Sequence, residues 1–82
     1  MNRENQHILN VIDFIKTGHN TCFVKVVGYD ADAQVEFEGE IKFVRERPFG
    51  DLIHPERSKL TPSSREFVRD NLINRYNKGE FN

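Results

Sequence analysis

The 82-residue sequence has no tryptophan, one cysteine, one methionine and no long apolar run. A single cysteine, Cys22, cannot form an intramolecular disulfide, which is typical of proteins kept in a reducing compartment. The longest apolar stretches fall far short of the roughly 18 to 20 residues that a membrane span needs. The N-terminal residues MNRENQHIL do not have the basic-then-apolar pattern of a secretion signal. We therefore expect a cytoplasmic protein with no membrane partner.

The chain is too short for two hydrophobic cores, so we expect one domain that covers residues 1–82. A chain of this size buries only about 60% of the surface that it exposes when unfolded. A deep, enclosed active site is therefore not expected. The net charge of −1 argues against nonspecific coating of nucleic acid, which depends on neutralising phosphates.

The charge is unevenly distributed along the chain. The stretch GYDADAQVEFEGE, residues 28–40, contains five carboxylates and neither Lys nor Arg. The residues after it carry an excess of basic side chains, many of them near the C-terminus. The sequence therefore predicts one acidic surface and one basic surface on the same small domain.

The first 17 residues have the apolar spacing of an amphipathic helix. Asn2 is a suitable N-cap, and Gly18 is a suitable residue just beyond the C-terminus. The i, i+3, i+4, i+7 spacing is given by Ile8, Val11, Ile12 and Ile15. We predict a helix that ends at Thr17 and packs one broad apolar face against the rest of the domain.

Two strands are predicted next. Residues 21–29 are rich in β-branched and aromatic side chains, and residues 33–46 alternate between apolar and charged side chains. The residues YDAD supply the turn between them. An antiparallel register in which paired residue numbers sum to an odd value places the apolar side chains of both strands on one face. We expect a core of Val24, Val26, Val35, Phe37 and Ile12, with Ile15, Val68 and Leu72 packed on it.

The C-terminal third predicts a loop followed by a second helix. Residues 47–60 contain two prolines and a Phe-Gly pair, with a short third strand conceivable near residues 49–53. Thr61 and Pro62 form a cap and first-turn pair, and Gly79 ends the helix. The predicted fold is a small α+β domain, an α-β-β-α sandwich with two helices packed on one face of an antiparallel hairpin.

The other face of the hairpin is the predicted functional surface, because carboxylates and apolar side chains alternate on it. Apolar residues surrounded by like charges resemble the centre and rim of a protein-binding surface. An ordinary solvated sheet face would also be polar, and this alternative stays open. The candidate partner-binding residues are Phe23, Lys25, Val27, Tyr29, Asp30, Asp32, Glu36, Glu38 and Glu40.

Metal and cofactor sites are not predicted. The residues DADAQ begin like a calcium loop, but Val35 stands where that loop needs glycine and Ile41 where it needs glutamate. The spacing of His19 and Cys22 supplies only two of the four ligands of a structural zinc. No glycine-rich phosphate loop is present, because the five glycines are isolated.

Catalysis is not predicted either. A Cys22–His54 dyad is conceivable, because such pairs meet across a fold. Cys22 lies on the predicted inward face of its strand, however, where a thiol is usually inert. We therefore expect a non-enzymatic protein that uses no cofactor.

The basic C-terminal helix, 62–78, offers an alternative function in nucleic-acid binding. Its basic residues are Arg65, Arg69, Arg75 and Lys78. The segment SREFVRDNLINRYNKGEF resembles the recognition helix of GntR-type winged-helix repressors, with residues of similar type at Ser64, Arg65, Val68, Arg69, Leu72 and Gly79. It departs from that family at Arg75, where an apolar residue is usual, and by the lack of a wing after the helix. The resemblance implies DNA binding by this helix.

The favoured prediction is a small interaction protein, a regulator or inhibitor that docks its acidic hairpin face, about residues 23–40, on a basic protein surface. Regularly spaced carboxylates could also imitate the charge of nucleic acid. Nucleic-acid binding is the alternative, and a homodimer through an edge strand is compatible with either function.

Overall fold

The computed structural model describes residues 6–81 and contains a four-stranded antiparallel sheet followed by one α-helix. The strands are β1 (Ile8–Lys16), β2 (Thr21–Asp30), β3 (Val35–Val44) and β4 (Arg47–Phe49). A short 3₁₀ helix follows at Asp51–Ile53, and the α-helix, α1, spans Pro62–Asn77. The strand order β1-β2-β3-β4 makes the sheet a simple meander. The α+β class is confirmed.

The prediction of two helices is wrong, because residues 8–16 form a strand. The proposed N-cap, Asn2, lies outside the described residues. A β-bulge explains the misleading pattern: the register of β1 on β2 shifts between Val11 and Asp13, with Ile12 as the extra residue. An extra residue turns a period of two into spacings of two and three, which imitate helical spacing over so short a segment. The core side of β1 is made by Leu9, Val11 and Phe14.

The predicted hairpin of β2 and β3 is confirmed in register. Val24 lies opposite Ile41 and Tyr29 opposite Glu36, so each pair of residue numbers has an odd sum. One difference is that Lys25 lies opposite Glu40 rather than Glu36 or Glu38. The turn falls at residues 31–34, slightly later than predicted.

The core lies between one face of the sheet and α1. It contains Leu9, Cys22, Val24, Val26, Ile41, Phe43, Ile53, Leu60, Val68, Leu72 and Phe81. Four members of the predicted core differ: Phe37 is only partly buried, whereas Val35, Ile12 and Ile15 are exposed. Val35 stands at the end of β3, Ile12 is the bulge residue, and Ile15 lies on the opposite face from Val24 because it pairs with Phe23.

The C-terminal helix matches its prediction closely. The Thr61 side chain accepts a hydrogen bond from the Ser64 backbone N–H, and Pro62 is the first helical residue. Gly79 follows the end of the helix with φ of 81°, a conformation that favours glycine. The predicted short strand exists, but at Arg47–Phe49, and the 3₁₀ helix takes up residues 51–53. Within residues 6–81, no helix has the length and apolar character needed to cross a membrane.

The position of each side chain predicts how it contributes to stability. Val24→Ala should lower the free energy of unfolding by about 1–3 kcal/mol, because Val24 is fully buried and its methyl groups would leave a cavity. Ile12→Ala is the matched control and should change the free energy by about 0.5 kcal/mol or less, because Ile12 is 60% exposed. Urea unfolding of both variants measures these changes. Equal losses would contradict the position of Ile12 on an exposed bulge.

Candidate functional site

One face of the sheet is not covered by α1, and we call it the open face. Its side chains are those that alternate with the buried residues of each strand. They form rows across the strands, because residues opposite each other in a sheet point to the same side. The rows are Ile8–Tyr29–Glu36, Asn10–Val27–Glu38, Asp13–Lys25–Glu40 and Ile15–Phe23–Lys42–Phe49.

The first three rows form the acidic half of the open face. Glu36, Glu38 and Glu40 are all exposed and lie at alternate positions along β3. The basic residue among them, Lys25, lies between Asp13 on one side and Glu40 on the other. The field of this half is therefore negative, and it is directed to solvent.

The fourth row crosses all four strands and is apolar on β1, β2 and β4, with Lys42 as its β3 member; we call it the apolar band. Ile15 is 60% exposed and Phe49 is 51% exposed, although both are large apolar side chains. Phe23 lies between them, and the Lys42 ammonium stands 5.9 Å from the centre of its ring, within the range of a cation–π contact. Val44, the next open-face residue of β3, is also exposed. Apolar side chains grouped in this way are typical of interaction surfaces.

Most of the predicted partner-binding residues share this surface. Lys25, Glu36, Glu38 and Glu40 are exposed on it, whereas Phe23, Val27 and Tyr29 are partly buried within it. Asp32 is exposed, but it lies in the turn after β2 and not on the sheet. The surface is divided differently from the prediction, because Phe23 belongs to the apolar band and is not threaded between the glutamates.

Asp30 does not belong to the open face, and its predicted role in partner binding is corrected here. Its side chain is fully buried at the end of β2. One carboxylate oxygen accepts hydrogen bonds from the backbone N–H groups of Asp32 and Ala33, at 3.0 and 3.2 Å, and from the Thr61 hydroxyl at 3.1 Å. The other oxygen accepts the Thr61 backbone N–H at 2.9 Å. Asp30 therefore joins the hairpin turn to the N-cap of α1.

His7 completes this arrangement, which we call the Asp30 junction and define by His7, Asp30, the turn residues 31–33, Thr61 and Ser63. The His7 Nδ1 atom accepts the Ala31 backbone N–H at 3.0 Å. Its Nε2 atom lies 3.0 Å from the Ser63 hydroxyl, and this nitrogen is the donor in the neutral ring. The start of β1 is thereby tied to the same turn and helix end.

The environment of Asp30 acts on its pKa in two directions. Burial raises the pKa by desolvating the carboxylate, but the hydrogen bonds from Thr61, Ala33 and Asp32 together outweigh that effect. The pKa of Asp30 is lower than that of an ordinary aspartate as a result. The carboxylate is therefore ionised in the folded protein at neutral pH.

The Asp30 junction also contains a group of potential metal ligands, which sequence reasoning did not bring together. Ligand atoms of His7, Asp30 and Asp32 all lie within 4.8 Å of one another. Both His7 nitrogens and both Asp30 oxygens already have hydrogen-bonding partners within the protein. The cluster is thus explained as a structural junction, and it could not be found from sequence while residue 7 was placed on a helix.

Cys22 lies on the inward face of β2, as predicted. The side chain is 4% exposed, and burial raises the pKa of its thiol. The other member of the conceivable dyad, His54, is exposed, and its Nδ1 atom accepts the Glu56 backbone N–H. A buried thiol with a raised pKa is a poor nucleophile at neutral pH.

The basic residues of α1 do not form a single stripe. Arg65 and Arg69 lie one turn apart on the same side of the helix. Arg75 is held by its Nε atom, which donates to Asn71 at 2.7 Å, and its guanidinium lies 3.4 Å from the Glu80 carboxylate. Lys78 is the C-cap residue, beyond the last turn. Because α1 packs on a sheet as the one α-helix among residues 6–81, the chain lacks the helical partner of a winged-helix motif there.

Four exposed apolar residues of the open face were missed by sequence reasoning: Ile8, Ile15, Val44 and Phe49. Ile8 and Ile15 were placed on a helix, and Phe49 joins the open face only because β4 pairs with β3. The alternation of β3 does place Val44 on the same face as Lys42, so the exposure of Val44 could have been predicted from the sequence.

Comparison of the chain with protein-family models, with curated proteins and with solved structures finds no match. The geometry and charge of the open face are therefore the features that bear on function.

The Asp30 junction predicts a large effect from a small substitution. Asp30→Asn should lower the free energy of unfolding by about 1–3 kcal/mol, because the amide NH₂ replaces an acceptor and leaves a buried donor unsatisfied. Asp32→Asn should change it by about 0.5 kcal/mol or less, because that side chain is half exposed. Urea unfolding at pH 7 measures both values. Equal effects would show that Asp30 contributes no special stability.

The lowered pKa of Asp30 also predicts how stability depends on pH. As pH falls, the unfolded chain takes up the proton first, near the ordinary aspartate pKa of about 3.9. The stabilisation by the ionised carboxylate is therefore complete above that value and is lost as pH falls towards the lower pKa of the folded state. Unfolding of the wild type and of Asp30→Asn between pH 7 and 2 tests this. Their difference in stability should shrink at low pH, and parallel profiles would contradict the assignment.

Proposed function

We propose that the protein is a non-enzymatic interaction module, a regulator or inhibitor that docks its open face on a partner protein with a basic surface. The acidic half would face basic side chains of the partner, and the apolar band would be buried beside them. A partner whose basic surface otherwise binds nucleic acid is a natural target, because aligned carboxylates occupy such a surface as phosphates do.

One observation carries this proposal: three exposed glutamates stand in line on the same sheet face as an exposed apolar band. Isolated apolar residues on a surface are ordinary, but Ile15, Phe23 and Phe49 lie in one row across the strands. A surface with an apolar part and a charged part can bury the first while the second fixes orientation. The proposal combines the two halves into one interface.

The two halves should act on different steps of binding. The attraction between Glu36, Glu38 and Glu40 and a basic partner acts over about 8–10 Å at physiological salt and raises the rate of association. Phe23 and its neighbours become buried only after the two proteins are in contact. Their apolar contacts therefore govern the lifetime of the complex. Binding kinetics can therefore separate the contributions of the acidic half and the apolar band.

The experiment is affinity capture from the native host with the wild type and four variants, followed by kinetics on the purified partner. The double variant Glu36→Lys with Glu38→Lys should slow association and weaken its dependence on salt. Phe23→Ala should mainly speed dissociation. As a central contact, its loss should weaken the free energy of binding by about 1–3 kcal/mol. The matched control, Glu66→Lys with Asp70→Lys, makes the same change in net charge on the exposed side of α1 and should bind like the wild type.

The fourth variant, on the basic side of α1, tests the alternative function. Arg65→Glu with Arg69→Glu should leave partner binding intact if the open face is the working surface. Capture of nucleic acid that is lost in this variant, and whose affinity falls steeply with salt, would favour the basic helix instead. Partner binding that is indifferent to both Glu36→Lys with Glu38→Lys and Phe23→Ala would overturn the proposal.

A further inference from the structure

The outer edge of β3 is only partly paired. Among residues 6–81, the strand beyond it is β4, which pairs with Lys42, Phe43 and Val44 alone. At Gly50 the chain passes so close to β3 that a Cβ atom there would stand 2.9 Å from the Glu40 carbonyl oxygen, and it then turns into the 3₁₀ helix. The segment from Val35 to Glu40 keeps its outer edge without a paired strand from these residues.

The direction of the backbone groups on this edge follows from the register. The Arg45 N–H donates to the Asn20 carbonyl on the β2 side, so odd-numbered residues of β3 direct their N–H and C=O groups towards β2. Even-numbered residues direct theirs outward. Pro48 agrees with this alternation: it lies opposite Phe43, at a position where β4 needs no N–H. The outward groups on the unpaired segment therefore belong to Glu36 and Glu38, together with the N–H of Glu40, because Gly50 already lies against the Glu40 carbonyl.

The same three residues thus offer both a hydrogen-bonding edge and a row of carboxylates. A strand added to this edge would place alternate side chains on the open face, directly beside Glu36, Glu38 and Glu40. Opposite charges at such cross-strand positions are favourable, and like charges are not. The charge of the edge therefore selects Lys or Arg at every second position of an added strand.

The other side of the added strand would face a groove of about 870 Å³, a size typical of ligand clefts. The groove runs between the β3 edge and the loop after β4, and its apolar lining includes Val35, Phe37, Leu52 and Leu60. Leu52 packs over Gly39, with its nearest atom 3.2 Å from the place where a Cβ would stand. Arg57, which pairs with Asp51 at 3.6 Å, and Lys59 also line the groove, so its apolar residues favour apolar side chains there and Lys59 disfavours basic ones.

We infer that the β3 edge binds an extended segment of a partner protein in which basic and apolar residues alternate, which adds a fifth strand to the sheet. The inference rests on the proposed function and specifies how the acidic half engages its basic partner. Pairing of this edge with a second copy of the chain is disfavoured, because it would set two rows of glutamates against each other. The edge of β1 is less suitable, because the bulge at Ile12 interrupts its ladder.

The test uses three peptides with free ends blocked. The first alternates Lys and Val over seven residues, long enough to span the edge at about 3.4 Å per residue. The second has the same composition with the lysines in one block and the valines in another. The third is the alternating peptide with proline in place of the central valine. The alternating peptide should bind at least about tenfold more tightly than either of the others, because only it can form both the ladder and the charge pairs.

Amide hydrogen exchange followed by NMR gives the decisive readout. With free peptide at ten times its Kd, exchange at the backbone amides of Glu36, Glu38 and Glu40 should slow by about tenfold. The amides of Phe37 and Gly39 already point to β2 and serve as the internal reference. Glu36→Lys with Glu38→Lys should abolish binding of the alternating peptide, whereas Glu66→Lys with Asp70→Lys should not.

Each other outcome has a separate meaning. Binding that needs the glutamates but leaves the three amides unprotected would overturn the inferred pairing at the β3 edge. It would leave the proposed docking of the open face intact. If the peptide with lysines and valines in separate blocks binds as tightly as the alternating one, the inferred pairing at the β3 edge is wrong. It is also wrong if none of the peptides binds. The proposed function fails on different evidence, a native partner that is indifferent to the open-face variants.

Discussion

The buried carboxylate of Asp30 is the interaction on which the rest of the structure depends. It ends β2, closes the turn to β3 through Asp32 and Ala33, and holds Thr61, the cap of α1. Thr61 lies 31 residues later in the chain, so a single side chain sets the position of the helix relative to the hairpin. A buried charge is costly unless its hydrogen bonds are satisfied, and here four donors satisfy it. That requirement favours one arrangement of turn, strand and helix over looser alternatives.

The position of α1 in turn decides which sheet face is open. The helix supplies Val68 and Leu72 to one face, and the described chain has no second α-helix for the other. In so small a domain the open face is either solvated or covered by a binding partner. Its apolar band contains side chains such as Ile15 and Phe49 that would be expected in a core, and the proposed interface rests on their exposure.

Sequence reasoning succeeded where local signals and the global fold agree. Alternation along β3 fixed the odd register, and the Thr61–Pro62 pair with Gly79 fixed both ends of α1. It failed at β1, where the bulge at Ile12 converts strand spacing into an imitation of helical spacing. It also failed at Asp30, because a carboxylate in an acidic stretch looks like its exposed neighbours unless its partner 31 residues away is known. The spacing of apolar residues within one segment cannot predict its contacts with distant segments.

The concentration of negative charge between residues 28 and 40 can now be divided by role. Asp30 is structural, and Asp32 lies beside it in the turn, within the Asp30 junction. The three glutamates occupy the unpaired part of β3, where an uncharged strand edge would be prone to pair with another copy of the chain. Mutual repulsion of their carboxylates guards against that pairing whether or not a partner is bound. In the proposed complex a strand of opposite charge would relieve the same repulsion, so one arrangement of side chains would both protect the edge and select a basic partner.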